Sequence, residues 1–158
     1  MGRIAAVCLG SGGVPKHPVQ RAQVEAHGLA GDAHRFDFHG GSDRAICLLS
    51  RAEVRDLQRE GVRTLAPGDF GENLLVDGLD LRELRPGDHL AVGDEVVLEL
   101  TDVRAPCATL KSVDPRLPDL MLGRSGYLAR VHKGGAVAPG DAIRTLSPAE
   151  RDQLHERT

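Results

Sequence analysis

The sequence contains very few aromatic residues. Phe, Tyr and Trp together make up 3% of its 158 residues, and Trp is absent. Because 41% of the chain is hydrophobic, a core of one domain's size must be built from aliphatic side chains. No apolar run is long enough to span a bilayer, and the N-terminus leads into strand-like residues instead of a signal peptide. We therefore expect a cytoplasmic protein with no membrane partner.

An excess of positive charge is also missing. The chain has 20 Lys and Arg residues and 23 Asp and Glu residues, which gives a net charge of -3. The positively charged residues form no continuous run. Nucleic acid is bound largely through clustered positive charge that neutralises phosphates. The composition therefore argues against a nucleic-acid partner, and it makes no prediction of the oligomeric state.

The chain has only three cysteines, Cys8, Cys47 and Cys107, and no Cys-x-x-Cys pair. An odd number spread over a mid-sized chain argues against a disulfide framework and against a structural zinc ribbon. Cys8 and Cys47 lie within apolar runs, where a thiol usually acts as a small hydrophobic side chain. We expect both to be structural and all three to be reduced.

Cys107 has a different setting. Residues 95–101 alternate between apolar and polar side chains, with a single break at Val97, as a half-buried strand does. Pro106 then favours a rigid turn out of the sheet, and the positive charge of Arg104 favours thiolate over thiol. A thiolate ligates soft metals and attacks sulfur, so Cys107 and Arg104 are candidate catalytic residues. A small apolar cysteine at a turn remains the alternative.

A polar, glycine-rich loop spans residues 27–44. Its ligand-type side chains include those of His27, Asp32, His34, His39 and Arg44. One interpretation is a zinc site formed by the three histidines and the aspartate, although their spacing matches no helical ligand pair. The other is that the glycines let the backbone approach a flat or anionic ligand, to which the histidines and the arginine donate hydrogen bonds.

Other candidate ligand contacts are scattered along the chain. Asn73 offers both a donor and an acceptor to the edge of a heterocycle, although a turn-forming role is equally open. Lys111 adds a cation beyond Cys107, and Arg124, beside two glycines, could pair with an anion. Lys16 could hold an anion or could simply be solvated.

The hydrophobic pattern predicts a mainly β fold. Strands are expected at residues 3–9, 22–26, 45–49, 123–131 and 141–144, and a hairpin is expected about Gly93 and Asp94. The Pro-Gly-Asp triplet occurs three times, as expected of the corner turns of a barrel of short strands.

Few helices are expected. Ser50 and Glu53 form a capping box for a helix that ends before Gly61, and Ser147 begins a charged C-terminal helix. Residues 114–118, with two prolines, are expected to interrupt any regular element, and residues 120–122 to form one helical turn.

Several motifs, in this order, resemble those of the MOSC-domain family, named after the C-terminal domain of the molybdenum cofactor sulfurases. They are Gly-Leu-Ala-Gly-Asp-Ala-His at 28–34, His-Gly-Gly-Ser-Asp-Arg-Ala at 39–45, Phe-Gly-Glu-Asn-Leu at 70–74 and Arg-Ala-Pro-Cys at 104–107, followed by Gly-Tyr-Leu-Ala-Arg-Val at 126–131 and Gly-Asp at 140–141. The resemblance thus extends over nearly the whole chain.

The resemblance implies a single MOSC domain over residues 1–158, with a barrel core at 1–146 and a peripheral helix at 147–158. The implied fold is a mainly β barrel with a few short helices, similar to the pyruvate kinase β-barrel domain. The implied ligand is the molybdenum cofactor, molybdopterin. In the family, the cysteine that matches Cys107 is a proposed sulfur carrier or the thiolate that ligates molybdenum.

The cofactor carries a phosphate and a polar pterin, which suits the candidate contacts above. From their charge and hydrogen-bonding groups, and not from the resemblance, we expect the contacts to be His34, His39, Arg44, Asn73, Lys111 and Arg124.

Three functions are compatible with this resemblance. The favoured one is a small molybdenum-dependent oxidoreductase that reduces N-hydroxylated compounds. The alternatives are a sulfur carrier with a Cys107 persulfide and a non-catalytic cofactor-binding chaperone. In larger relatives a desulfurase domain that uses pyridoxal phosphate precedes the MOSC domain. No such domain precedes the motifs here, so pyridoxal phosphate is linked to this chain only by family association. An external reductase or sulfur donor protein is therefore the expected partner.

Overall fold

The computed structural model describes residues 1–10, 16–32, 45–62, 66–105, 110–111, 114–122 and 126–156. Within these ranges the chain forms eleven strands and three short α-helices, so the expected mainly β fold is confirmed. The strands are β1 Gly2–Leu9, β2 His17–Val19, β3 Ala22–Glu25, β4 Gly28–Leu29, β5 Ile46–Ser50, β6 Leu74–Asp77, β7 His89–Val92, β8 Val96–Val103, β9 Tyr127–Lys133, β10 Gly135–Val137 and β11 Ala142–Thr145. The helices are α1 Arg51–Arg59, α2 Leu117–Leu120 and α3 Pro148–Glu156.

Seven of the described strands close into a barrel. The sheet runs in the order β11-β7-β8-β9-β5-β6-β1, and β11 also pairs with β1. Gly2 lies opposite Ile143 at this closure, while Ile143 lies opposite Val92 on the other side. β2 extends the sheet beyond β1, and β3, β4 and β10 form a separate three-stranded sheet. The strand predicted at residues 141–144 is therefore the one that closes the barrel.

The predicted hairpin is present as β7 and β8. The two strands pair antiparallel from His89 opposite Glu99 to Val92 opposite Val96. The pairing of β8 with β9 shifts register between Val97 and Leu98, which is where the alternation of the sequence breaks. The irregularity in the pattern therefore marks a bulge or similar irregularity in the sheet.

Helix α1 begins and ends as its capping pattern predicts. Ser50 and Glu53 form the capping box, and the chain leaves the helix through Gly61 at a φ of 96°. Leu57 is fully buried on the inner side of the helix. Helix α3 begins in the same way, because the Glu150 N–H donates to Ser147 Oγ and the Ser147 N–H donates to the Glu150 carboxylate.

The prediction for residues 114–122 is wrong. The helix α2 occupies Leu117–Leu120, within the segment expected to interrupt regular structure, and the predicted turn at 120–122 is only its end. Pro118 lies in the first turn of α2, where the missing N–H has no intrahelical partner to lose and the fixed φ suits a helix. The proline thus begins the helix instead of breaking it.

Two hydrophobic cores lie on opposite sides of the barrel wall. The inner core fills the barrel with aliphatic side chains such as Ile4, Leu48 and Leu98. The outer core contains Cys8, Leu49, Leu57, Leu75, Leu110 and Leu117, and so packs α1 and α2 against the wall. None of the helices in the described ranges combines the length and the apolar character needed to cross a membrane.

Candidate functional site

Most of the predicted site residues lie outside the described residues. These are Cys107, His34, His39, Arg44 and Arg124. The same holds for two of the four ligands of the alternative zinc site. Their roles remain predictions, and the geometry of the site rests on the residues that the structure describes.

Arg104 lies directly beyond the end of β8, three residues before Cys107. Its backbone N–H donates to the carbonyl oxygen of Gly126 at 2.9 Å, which holds the end of β8 beside the start of β9. The Arg104 side chain is half-buried, whereas Lys111 is exposed to solvent. The last described residues before Cys107 are therefore held in a fixed position at the end of β8.

Asn73 lies inside the protein, with 1% of its surface exposed. Its Oδ1 accepts a hydrogen bond from the Cys47 N–H at 2.9 Å. Its Nδ2 donates to Asp32 Oδ2 at 2.9 Å and to the Cys8 carbonyl oxygen at 3.3 Å. The amide thus joins strands β1 and β5 to the start of the polar loop. A contact between Asn73 and a cofactor stays a prediction.

Lys16 and Asp32 form a buried ion pair. Lys16 Nζ lies 2.7 Å from Asp32 Oδ1, and the two side chains are 7% and 2% exposed. The same oxygen accepts a hydrogen bond from the Gly10 N–H at 2.9 Å. Lys16 is therefore not the solvated lysine of the alternative interpretation, and the anion that it holds is a carboxylate of its own chain.

We call Lys16, Asp32, Cys47, Glu72 and Asn73 the buried polar cluster. The sequence does not reveal it as a unit, because its hydrogen-bonded members come from separate segments. Asp32 lies 16 residues from Lys16 and 41 from Asn73. Only tertiary structure brings such groups together.

Glu72 is the most unusual member of the cluster. It is 1% exposed, its Oε2 accepts from the Gly68 N–H at 3.0 Å, and its Oε1 has no hydrogen-bond partner among the described residues. Burial raises the pKa of this carboxyl, against the opposing effects of the Gly68 N–H and the charge of Arg104. A raised pKa favours the protonated form, which can donate a hydrogen bond.

Glu72 also lines a cavity of about 240 Å³ between α1 and the segment before β6. Arg51, Arg55 and Gln58 of α1 form one side of this cavity. Pro67 and Phe70 lie on the other side. The cavity is smaller than the range of about 300–1,000 Å³ that is usual for small-molecule pockets, so it can hold only part of a larger ligand.

The two described thiols are buried, as predicted for structural cysteines. Burial, reinforced by the negative charge of Glu72, raises the pKa of Cys8 to about 12. Burial also raises the pKa of Cys47, although the charge of Arg104 acts in the opposite direction. Thiolate is the reactive form, so both cysteines are chemically inert at neutral pH. The effect of Arg104 on Cys47 places its positive charge near the buried polar cluster.

The fold and this cluster define a small β-barrel domain with ligand-type polar groups packed on its outer wall. The MOSC domain model matches residues 35–144, which is more than half of the chain. The protein therefore belongs to the MOSC-domain family, and the family resemblance inferred from the sequence motifs is confirmed.

Similar sequences include proteins of fungi and bacteria. A protein of Gibberella moniliformis named "Reductase" is 33% identical over 77% of this chain and 23% of its own length. YflK of Bacillus subtilis, an uncharacterized protein, is 30% identical over 88% of this chain and 65% of its own length. The chain thus spans less than a quarter of the first relative and about two thirds of the second.

Solved structures with the same fold include two YiiM proteins. YiiM from Geobacillus stearothermophilus has a TM-score of 0.78, with 23% identity over 99% of this chain and 86% of its own. YiiM from Escherichia coli has a TM-score of 0.73, with 28% identity over 93% of this chain and 70% of its own. The barrel described above is therefore the fold of known YiiM structures.

Proposed function

We propose that this protein binds the molybdenum cofactor and reduces N-hydroxylated compounds, with the Cys107 thiolate as the protein ligand of the metal. The proposal rests on membership of the MOSC-domain family and on the similarity to a protein named as a reductase. The structural observation that carries it is the buried Glu72 carboxyl, with Arg104 close enough to act on its pKa and Cys107 three residues beyond Arg104.

The described residues suit the chemistry of this cofactor. A pterin presents donors and acceptors along its edge, and its phosphate requires cations. Glu72 supplies a buried oxygen, Oε1, that no described residue satisfies, and a buried oxygen of this kind favours a polar partner. Arg51 and Arg55 on the wall of the same cavity supply positive charge. When bound, the cofactor supplies a molybdenum centre able to exchange two electrons with a substrate.

The protein's own residues then have separable tasks. The positive charge of Arg104, three residues from Cys107, favours the thiolate form that a soft metal requires. Arg44, Lys111 and Arg124 are the candidate partners of the phosphate, because guanidinium and ammonium groups donate to phosphate oxygens. His34, His39 and Asn73 are candidate hydrogen-bonding groups for the pterin. Electrons come from a separate reductase.

The experiment that tests this proposal measures molybdenum and pterin in the protein purified from a host that makes the cofactor. Molybdenum is measured by elemental analysis, and pterin by fluorescence after oxidation. We expect both in the wild type and in Cys47→Ser, whose thiol is buried and inert, and neither in Cys107→Ser. The loaded protein, supplied with a reductase, should then reduce an N-hydroxylated amidine, and Cys107→Ser should not.

Other outcomes would decide against the proposal. If the wild type holds neither molybdenum nor pterin in cofactor-replete cells, stable cofactor binding is wrong. Mass spectrometry that then finds an additional sulfur atom on Cys107 would identify a persulfide carrier. If Cys107→Ser retains the cofactor and the activity, every role assigned to this thiol is wrong. Retained cofactor without reduction in the wild type would leave a binding module.

A further inference from the structure

Two histidines and a glutamate lie together on the outer face of the barrel, on three neighbouring strands. His89 of β7 lies opposite Glu99 of β8, and Glu99 lies opposite Arg130 of β9. His132 lies two residues beyond Arg130, at the bulge where the pairing skips from Val131 to Lys133, and its ring contacts Glu99 on the same face of the sheet. Because Leu90, Leu98 and Leu100 point into the barrel, their alternating neighbours point outward. The register therefore places His89, Glu99 and His132 side by side.

The potential ligand atoms converge closely. His132 Nε2 lies 2.7 Å from Glu99 Oε1, and His89 Nε2 lies 3.8 Å from the same oxygen. One ligand atom from each of the three residues lies within 4.8 Å of the other two. Zinc binds nitrogen and oxygen at about 2.0–2.2 Å, so two ligands of a tetrahedral site are separated by about 3.3 Å. The two distances to Glu99 Oε1, 2.7 Å and 3.8 Å, lie on either side of that value.

The orientation of His89 favours metal binding. Its Nδ1 lies 2.9 Å from the carbonyl oxygen of Gly87, and a carbonyl oxygen can only accept a hydrogen bond. Nδ1 therefore carries the hydrogen, and in the neutral ring the lone pair is on Nε2, the atom that faces Glu99. A hydrogen bond from the second ring nitrogen to a backbone carbonyl is the usual way in which proteins orient a metal-ligating histidine.

The groups of the cluster and their burial also suit a cation. Glu99 brings one carboxylate, and His89 and His132 bring two imidazole rings. His89 is 6% exposed, so packing holds its ring in place beside Glu99.

Two arginines lie near this cluster. Arg130 Nη1 lies 3.6 Å from Glu99 Oε1, and its side chain is 42% exposed, so it can turn into solvent when a cation binds. The charge of Arg151 on α3 also acts on His89, and its Nη1 donates to the Gly87 carbonyl oxygen at 3.5 Å.

We propose that His89, Glu99 and His132 bind a divalent zinc ion on the outer wall of the barrel, at a site separate from the one that contains Cys107. Imidazole and carboxylate ligands suit zinc, and three protein ligands leave a fourth position for water. Glu99 lies four residues before the end of β8, or about 13 Å along the strand, and its side chain is on the outer face of the sheet and not in the buried polar cluster. The proposal does not depend on the function proposed above.

The test is a titration of metal-free protein with zinc, in which binding is measured by calorimetry and by competition with a chelating indicator. We expect one zinc ion per chain at this site. Glu99→Gln and His132→Gln should each lower the zinc affinity by at least about tenfold. Loss of an outer hydrogen-bond partner of a metal ligand already costs about that much, and removal of the ligand itself should cost more. The matched control is His17→Gln, which changes an exposed histidine on β2. It should bind zinc as the wild type does.

A cobalt substitution separates this site from the thiol. Cobalt at a site of nitrogen and oxygen ligands gives visible ligand-field bands without the strong ultraviolet absorption of a cobalt-thiolate bond. That spectrum, present in Cys107→Ser and lost in Glu99→Gln, supports the proposal. Undiminished zinc affinity in Glu99→Gln and His132→Gln, both folded by circular dichroism, overturns it, as does a spectrum that requires Cys107. In that case the cluster is only an ion-pair network.

Discussion

The ammonium group of Lys16 and the carboxylate of Asp32 lie 2.7 Å apart with almost no contact with solvent. Asp32 also accepts hydrogen bonds from Gly10 and Asn73, so the pair connects the segment before β2 to β1 and β6. A buried charge that loses its partner retains its desolvation penalty without compensation. The pair therefore holds together the wall on which the candidate site is built.

We expect Lys16→Met to lower the free energy of unfolding by about 3–5 kcal/mol, because Asp32 is left as an uncompensated buried charge. The control is Arg144→Met, which removes the exposed ion pair with Glu150 and should change stability by less than about 1 kcal/mol. Urea denaturation with comparison of the slopes measures both. Equal effects of the two substitutions would contradict the importance of the buried pair.

Gly126 should not tolerate a side chain. Its φ is 86°, and a Cβ atom at this position would lie 1.9 Å from the carbonyl oxygen of Leu48. Gly87 has a similar φ of 97°, but no atom lies within 4 Å of its Cβ position. We expect Gly87→Ala to destabilise the protein by about 1–2 kcal/mol, from backbone strain alone.

Gly126→Ala should destabilise the protein by clearly more than Gly87→Ala, since the backbone must also move. The Arg104 N–H donates a hydrogen bond to the Gly126 carbonyl oxygen. A shift of the backbone at Gly126 would therefore also move Arg104 and disturb the proposed site. Thermal unfolding of the two variants measures the difference. A Gly126→Ala protein as stable as Gly87→Ala would show that the close approach of β9 to β5 is not required.

Glu72 and Glu150 should contribute to the pH dependence of stability in opposite directions. Burial raises the pKa of Glu72, so its contribution to stability is present below the ordinary glutamate pKa of about 4.3 and is lost as the pH rises through the higher folded-state value. The hydrogen bond from Arg144 lowers the pKa of Glu150 to about 2, so its contribution is lost as the pH falls.

The free energy of unfolding, measured in urea from pH 3 to pH 8, checks this prediction. Relative to wild type, Glu72→Gln should gain stability as the pH rises, and Glu150→Gln should lose it, with the smaller change because Glu150 is exposed. A flat difference for Glu72→Gln across this range would mean that its carboxyl is not protonated more readily in the folded protein.

The three thiols should react with iodoacetamide at different rates. Cys8 and Cys47 are buried and their pKa values are raised, so we expect them to be alkylated only after unfolding. Cys107, three residues beyond Arg104 in sequence, should react in the native protein. Peptide mass spectrometry after brief labelling identifies the modified residue. Faster labelling of Cys47 than of Cys107 would contradict the assignment of the reactive thiol.

Features fixed by neighbouring residues were predictable from the sequence. The alternation of β8, the capping box of α1 and the turn of the β7–β8 hairpin each depend on a few adjacent side chains. The hairpin placed β7 beside β8, whereas the pairing of His89 with Glu99 is known only from the observed register. His132 could not be added without the register of β9, which depends on a bulge and on packing.

The buried polar cluster was beyond local patterns for the same reason. Lys16 and Asn73 were each recognisable as polar residues that could hold a ligand, but nothing near them in sequence showed that Asp32 would contact both. Hydrogen bonds between separate loops depend on how the barrel closes. The motifs of the family indicated the region of the site, whereas the partners of its side chains required the three-dimensional structure.

The pairing of Gly2 with Ile143 has a consequence for how the chain folds during synthesis. The first half of β1 gains its second neighbour only when β11, near the C-terminal end, has left the ribosome. Contacts between such distant parts of a chain slow folding, and an unpaired strand edge can associate with other chains. Ribosome-bound chains that stop before β11 should therefore be the most exposed to aggregation and to chaperones, and release of the last strands should bury that edge.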